Sequence, residues 1–400
     1  MSTSLLVGLL LLAPRYDLLL RGGHVLDARS GTNARRDVAI AAGRIAAVAM
    51  SIDPADAARV VDLSGLYVAP GLVDLHVHVY AGTGEPGSYA GDNSVYPDAF
   101  GPRSGVTTMV DAGCSGWRNF DDFCDRVISR SKTRVLAFLN IVGHGMRGGP
   151  WEQDLLDMQA VPAAAMALRH PGTIVGIKTA HYEGPDWTAV ERALDAAQAA
   201  GVRVMVDFGL NKKKRPLTEL LTAKLRPGDI YTHVHSGLRD EQAEDGRVSW
   251  ALPAGRQLGV LFDVGHGGGS FFWRIAAPAA AAGFWPDTIS SDLHVNSMNA
   301  GMKDLPNVMS KFLALGLPLD EVVRRVTWNP ARAIGRDDLG HLSAGAPADV
   351  AVLRLETGRF GFTDAGGRRL DGRARLVTEL TLREGEVVWD VNGRVSEAYR

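Results

Sequence analysis

The chain has 400 residues, of which 46% are hydrophobic and 22% charged, and its formal net charge is −2. That composition supplies a large globular core, and the near-neutral balance gives no footing for nucleic acid or an anionic membrane surface as partner. Only two cysteines occur, Cys114 and Cys124, without a CxxC pair, which argues against a disulfide framework or a thiolate metal site and suits a reducing, cytoplasmic compartment.

In chain order, the first feature is SLLVGLLLLAP (residues 4–14). It resembles the apolar core of a signal peptide, but no Lys or Arg precedes it and no small-x-small cleavage site clearly follows. It is too short to span a bilayer. The reading adopted is an apolar strand or extended start, with a secretory signal as the alternative.

From Tyr16 to about Val61 the text is strand-like: YDLLLRGGHVLD, then DVAIAAGRIAAVA, whose Ala-Gly centre reads as a hairpin. The same texture returns in ADVAVLRL (348–355) and LVTELTLREGEVVWD (376–390), with Glu-Gly at the turn. Two all-β segments at opposite ends of a chain can pair into one small domain. The expected division is therefore 1–68 and 343–400 for that domain, around a central 69–342.

The centre alternates strand and helix, the signature of a parallel α/β fold. Its candidate strands are LVDLHVH (72–78), TTMVDA (107–112), VLAFLNIV (135–142), IVGIKTA (174–180), VRVMVDF (202–208), DIYTHVH (229–235), GVLFDVG (259–265) and TISSDLH (288–294). Helical stretches lie between them, such as WTAVERALDAAQAAG (187–201), which Gly201 stops. Eight β/α units favour a closed barrel over an open sheet, although this text can be written as either. RPGDI (226–230) reads as a turn and NKKKR (211–215) as a solvated loop.

In a βα barrel the active site lies at the C-terminal strand ends, so the polar residues there carry the functional reading. Strand one ends His76-Val77-His78, whose imidazoles share a face at i and i+2. Strand four holds Lys178 in an apolar run. Strand five ends on Asp207, strand six has His233 and His235, and strand eight has Asp292 and His294. Any one of them is explained by a core histidine, a cap or a snorkelling lysine. Several at the same end of successive strands each carry a burial penalty that a cation would relieve. Imidazole with carboxylate suits zinc or a similar divalent metal.

The stretch GLYVAPGLVDLHVH (65–78) resembles the lead-in to the first barrel strand of the amidohydrolase superfamily. The resemblance continues through KTAHYEG (178–184), GDIYTHVHSG (228–237), DVGHGGGSF (263–271), SSDLH (290–294), NPAR (329–332) and LGHLSAGAPADVAVL (339–353). Within the superfamily it is nearest the deacetylase-like branch related to dihydroorotases, hydantoinases and N-acyl-D-amino-acid deacylases. It implies an α/β fold, a distorted (β/α)8 TIM barrel with a small flanking β-sandwich built from both termini.

The resemblance also implies two divalent metal ions, zinc first with manganese also suited. His76 and His78 match the pair that holds the more buried metal. Lys178 matches a lysine that many relatives carry as a carbamate bridging both metals. His233 matches the second metal's histidine, and Asp292 the aspartate that binds metal and shuttles a proton. His266 and Gly267 fall where relatives contact substrate.

One position departs. Relatives usually end strand five on histidine, and this chain has Asp207. It serves as an oxygen ligand, or fails to reach and leaves one metal, or marks a lost centre; the first is the expectation adopted. The implied activity is hydrolysis of an amide or ester in a small molecule, an N-acyl amino acid or acylated hydroxy acid, with opening of a cyclic amide as the alternative. A non-catalytic barrel scaffold is the reading from another class. A carboxylate-bearing substrate needs a partner, for which Arg147, Arg239, His181 and the amides of Gly267 to Gly269 are the candidates. His181, His235 and His294 could instead orient the ligands. By analogy with relatives, a homo-oligomer is an open expectation.

Overall fold

The computed structural model describes residues 14–207, 209 and 212–399. The apolar stretch at 4–13 and Asn211 of the basic loop thus lie outside the described residues. The chain opens with β1 (Leu18–Asp27), β2 (Thr32–Ala41), β3 (Arg44–Ala49), β4 (Val60–Asp62) and β5 (Tyr67–Pro70). It continues with β6 (Leu72–Val77), β7 (Val106–Gly116), β8 (Arg134–Asn140), β9 (Ile174–Thr179), β10 (Arg203–Val206), β11 (Ile230–Tyr231) and β12 (Leu261–Phe262). Three long strands finish it: β13 (Val350–Thr363), β14 (Arg369–Arg383) and β15 (Glu386–Asp390).

The terminal strands form one sheet in the order β15-β14-β13-β5-β1-β2-β3, with β4 beside β1. Strand β5 joins the two ends of the chain, antiparallel to β13 and parallel to β1. The two anticipated hairpins are present. Ala42 and Gly43 have φ of 49° and 73°, and Glu384 and Gly385 have 49° and 81°, the doubly left-handed turn that suits the twist of adjoining strands. The turns press together, since a Cβ on Gly43 would stand 2.8 Å from the Glu384 carbonyl. Leu18, Val38, Val68, Val350 and Leu380 meet in one apolar cluster of this sheet.

The seven strands β6 to β12 are all parallel and adjacent in chain order. Every residue of β7 is buried, as expected of a strand covered on both faces. Residues 288–293 close the ring. Thr288 bridges Asp263 beyond β12, and Leu293 bridges Val77 of β6. His78 N donates to Leu293 O at 2.9 Å and Asp292 N to His76 O at 2.7 Å. This eighth segment forms no continuous ladder because side chains take its backbone groups. Asp74 Oδ1 accepts from Ser291 N at 2.9 Å, and Asp292 turns left-handed at φ 52°.

Outside the barrel, the helix Thr188–Ala200 buries an alanine-rich face and ends at Gly201, whose φ of 69° lets its N–H reach back to Ala197 O. The helix Leu305–Ala314 ties barrel to terminal sheet, where Ser310 Oγ accepts from Leu376 N at 2.9 Å.

Candidate metal centre and cleft

At the end of β6, His76 and His78 are both buried, on one face of the strand. Asp292 Oδ1 stands 2.9 Å from His78 Nε2 and 3.6 Å from His76 Nε2. The three ligand atoms lie within 4.8 Å of one another. Oδ1 itself is buried without a hydrogen-bond partner. An orphaned carboxylate oxygen facing two imidazole nitrogens is a donor set that a divalent cation fits.

The tautomers agree. Thr232 Oγ1 donates its proton to Asp263 Oδ2 at 2.8 Å, so toward His76 Nδ1, 3.0 Å away, it accepts. That puts the imidazole proton on Nδ1 and leaves Nε2 a free lone pair for the centre. Burial, then the charge of Lys178, pushes the His76 pKa down to about 3, so the ring stays neutral as a ligand must. Asp263 beneath it is fully buried. Burial would raise its carboxyl, but His76 and the hydroxyls of Thr288 and Ser290 hold it below the ordinary range. His78 Nδ1 meets Cys114 Sγ at 3.3 Å, and burial keeps that thiol protonated. Lys178 is buried on β9 with Nζ 3.4 Å from His76 Nε2, and burial lowers its pKa.

The second half of the centre is built from ion pairs. Asp207 leaves β10 with its N–H on Thr179 O at 2.9 Å. Its Oδ2 is 3.1 Å from His233 Nε2 and 3.6 Å from His181 Nε2, while Oδ1 accepts from Arg239 Nη2. The shorter side chain therefore does reach the strand-six histidine. His233 Nδ1 donates to Gly265 O at 2.6 Å. His181 Nδ1 lies 3.1 and 3.2 Å from the two oxygens of buried Glu152. Burial opposes charge on His181, but Glu152 and Asp207 outweigh it and push the pKa up to about 9. Burial also opposes charge on Asp207, and His233 and Arg239 hold its carboxyl well below the usual range. The rings of His76 and His233 are 5.0 Å apart, which joins the two halves.

His181, His233 and Asp292 are three of the six non-glycine residues with positive φ among the described residues, at 53°, 64° and 52°. Left-handed backbone at such residues is kept where the surroundings over-determine it, and it concentrates at functional sites. All three line a cavity of about 500 Å³ with Tyr89, Asp207, Arg239 and His294. The Tyr89 ring packs 4.3 Å from His78 and 5.1 Å from His294.

Other anticipated contacts fall elsewhere. His266 is fully buried outside the cavity lining, stacked on Phe271, with Nε2 2.6 Å from Lys311 Nζ. The Gly267 amide is spent on Ser291 O at 2.9 Å, so it is not open to substrate; what Gly267 gives is room, since a Cβ would stand 2.2 Å from Asp292 Oδ2. Arg147 pairs with Glu85 and donates to His144 O at 3.2 Å, outside the lining. His235 is buried between Phe271 and Phe312. Sequence reasoning passed over Thr232, Asp263, Cys114, Glu152 and Tyr89. Asp263 carries the same signal as Asp207, a lone carboxylate near the end of an apolar strand.

The chain is similar to known proteins. The family model described as "Amidohydrolase family" matches residues 59–282, and a second model of the same description matches 273–375. A deacetylase of Agrobacterium fabrum is 35% identical over 336 residues, covering 81% of this chain and 79% of that protein. A deacetylase of Enterococcus faecalis is 30% identical over 381 residues, 93% of this chain and 99% of that protein. Among solved structures, one titled an adenine deaminase superposes with a TM-score of 0.84 at 27% identity, covering 94% of this chain and all of that one. One titled a dihydroorotase gives 0.81 at 30%, covering 93% and 99%. No helix among the described residues is long and apolar enough to cross a membrane.

Proposed function

The chain belongs to the amidohydrolase family, hydrolases acting on carbon–nitrogen bonds, and from that premise we propose that it deacylates a carboxylate-bearing N-acyl amino acid or acylated hydroxy acid. The observation that carries the reading is the buried trio His76, His78 and Asp292 beside a substrate-sized cavity, with the partnerless Asp292 Oδ1 turned to the imidazoles. The deacetylases among its relatives favour acyl removal. The similar structure titled a dihydroorotase favours, as second reading, opening of a cyclic amide.

His76, His78 and Asp292 would hold one divalent ion, zinc in the first instance. Asp207 and His233 would hold a second, with Lys178 as a carbamate between them. Such ions act as Lewis acids and lower the pKa of water near 7. The chain's own groups do the rest. The Thr232–Asp263 pair fixes His76 in its ligand tautomer, and Cys114 Sγ lies 3.3 Å from His78 Nδ1. Burial lowers the Lys178 pKa, the direction that favours the neutral amine that carbamate formation from carbon dioxide requires. Asp292 accepts the proton of the attacking water and returns it to the leaving nitrogen or oxygen. Arg239 and cationic His181, both in the cavity wall, offer the positive charge that a substrate carboxylate needs.

The test pairs elemental analysis of protein purified without chelator with a screen of N-acyl-D- and L-amino acids, acylated hydroxy acids and cyclic amides. Near two equivalents of metal with turnover of an acylated acid is the expected result. Protein that takes up no metal would overturn the reading, and turnover confined to cyclic amides would replace it with the second.

A further inference from the structure

The loop after strand seven, GHGGGSF, does not present its histidine to the cavity, yet His266 and Lys311 make a well-connected buried pair near the site. Lys311 lies within the helix Leu305–Ala314 and is fully buried. Its Nζ has three partners: His266 Nε2 at 2.6 Å, Gly301 O at 2.8 Å and Thr363 O at 2.7 Å. A carbonyl oxygen only accepts, so His266 Nδ1, 2.9 Å from Gly267 O, carries the imidazole proton and donates it there. Nε2 is then left facing Lys311 Nζ, which as an ammonium donates to it. Phe271 stacks on the ring at 4.6 Å and 15° and fixes its plane. Gly267 is the residue against Asp292. It is left-handed at φ 54°, its N–H binds Ser291 O, and no Cβ fits between its Cα and Asp292 Oδ2.

We propose that Lys311 and His266 are positioning residues, a strap from the β13 carbonyl of Thr363 to the Gly267 peptide that sets the orientation of the Asp292 carboxylate. Oδ1 of Asp292 faces the imidazoles, and Gly267 stands against Oδ2 with no room for a Cβ between them. The Gly267 backbone is held on one side by Ser291 and on the other by His266. Lys311 anchors His266 to the terminal sheet, which gives that sheet a part in the centre although it lends no residue to the cavity lining. The inference rests on the reading of Asp292 as metal ligand and proton carrier.

The experiment uses the full chain loaded with Co²⁺, whose visible absorption reports ligand geometry without a substrate, and in parallel the zinc-loaded protein with N-acetyl amino acids. Lys311→Met keeps the buried stem and removes the donors. His266→Phe keeps the stack and removes both hydrogen bonds. The expected result is unchanged Co²⁺ stoichiometry with a shifted visible spectrum in both. Where the wild type turns over substrate, kcat falls on the order of 10- to 100-fold with KM within about twofold, in keeping with groups that orient ligands. The double variant should be no worse than the poorer single one, because the two act in series. Unaltered spectra and kcat, additive losses, or loss of Co²⁺ together with activity would each overturn the strap. A wild type inactive on every N-acetyl amino acid would count against the proposed substrate alone, since the Co²⁺ spectra still decide the strap.

Discussion

The two halves of the centre solve the same burial problem by different means. The half at strands one and eight has neutral imidazoles, anchored through Nδ1 on a hydroxyl and a thiol, and one carboxylate oxygen left without a hydrogen bond. The half at strands five and six has a carboxylate already surrounded by donors, with Arg239 on one oxygen and two histidines at the other. Buried charge without a partner is costly. The first half thus asks for a cation from outside, while the second carries one in the chain. Asp207, where the resemblance leads one to expect histidine, is what makes that difference, and Arg239 is its complement. The first position is therefore expected to bind metal more tightly and the second to be sensitive to the Asp207–Arg239 pair.

The largest effect should come from Asp292→Asn. It keeps the side chain's shape but cannot take the proton of water, so kcat should fall on the order of 10²- to 10⁴-fold while zinc content stays near that of the wild type. An active variant would remove the proton-carrying role and leave Asp292 a plain ligand. Smaller, and aimed at the second half, is Asp207→Ala. One equivalent of zinc should be lost and the first retained, and Asp207→His should keep both. Full activity and two metals in Asp207→Ala would show that the carboxylate holds no metal. Arg239→Gln leaves Asp207 in place without its in-chain cation, and its expected mark is tighter binding of the second zinc, because the buried carboxylate then needs a cation from outside, with a higher KM for a carboxylate-bearing substrate.

These halves differed in legibility too. The barrel was readable because parallel strands buried on both faces write themselves as apolar runs, and because His76, His78, Lys178, His233 and Asp292 sit at fixed places at their ends. The eighth strand was legible as text but forms only bridges, because Ser290, Ser291 and Asp74 divert its hydrogen bonds. The pairing of Asp207 with Arg239 was not readable, since it joins residues 32 apart and Arg239 lies in the irregular segment after β11. Nor were Tyr89, brought to His78 by the long connection after β6, or the fate of GHGGGSF. Of the glycines expected to contact substrate, Gly267 serves here to let backbone approach Asp292, and that depends on what lies opposite, which sequence alone does not contain.

The smallest expected effect concerns the support of the first half alone. Burial pushes the Lys311 pKa down to about 7, with Asp364 opposing and Lys303 adding to the shift, from an ordinary value of 10.5 in the unfolded chain. Below pH 7 both states carry the proton and the fold bears the burial of a charge. Between pH 7 and about 10.5 the folded chain has released its proton and the unfolded chain has not, so this group's contribution to stability rises across that window. Lys311→Met removes the titration. The Tm difference between variant and wild type should therefore favour the variant most at pH 6 and shift toward the wild type by a few degrees as the pH approaches 10, measured by thermal melts at matched ionic strength. Metal bound by Asp207 and His233 should be disturbed less than the first, because the strap meets that half only through the Gly265–His266 peptide, whose oxygen accepts from His233 Nδ1. A Tm difference that stays flat from pH 6 to 10 would mean that Lys311 titrates as an exposed amine does. A loss of the second metal would mean that this one peptide carries the strap's support into the second half.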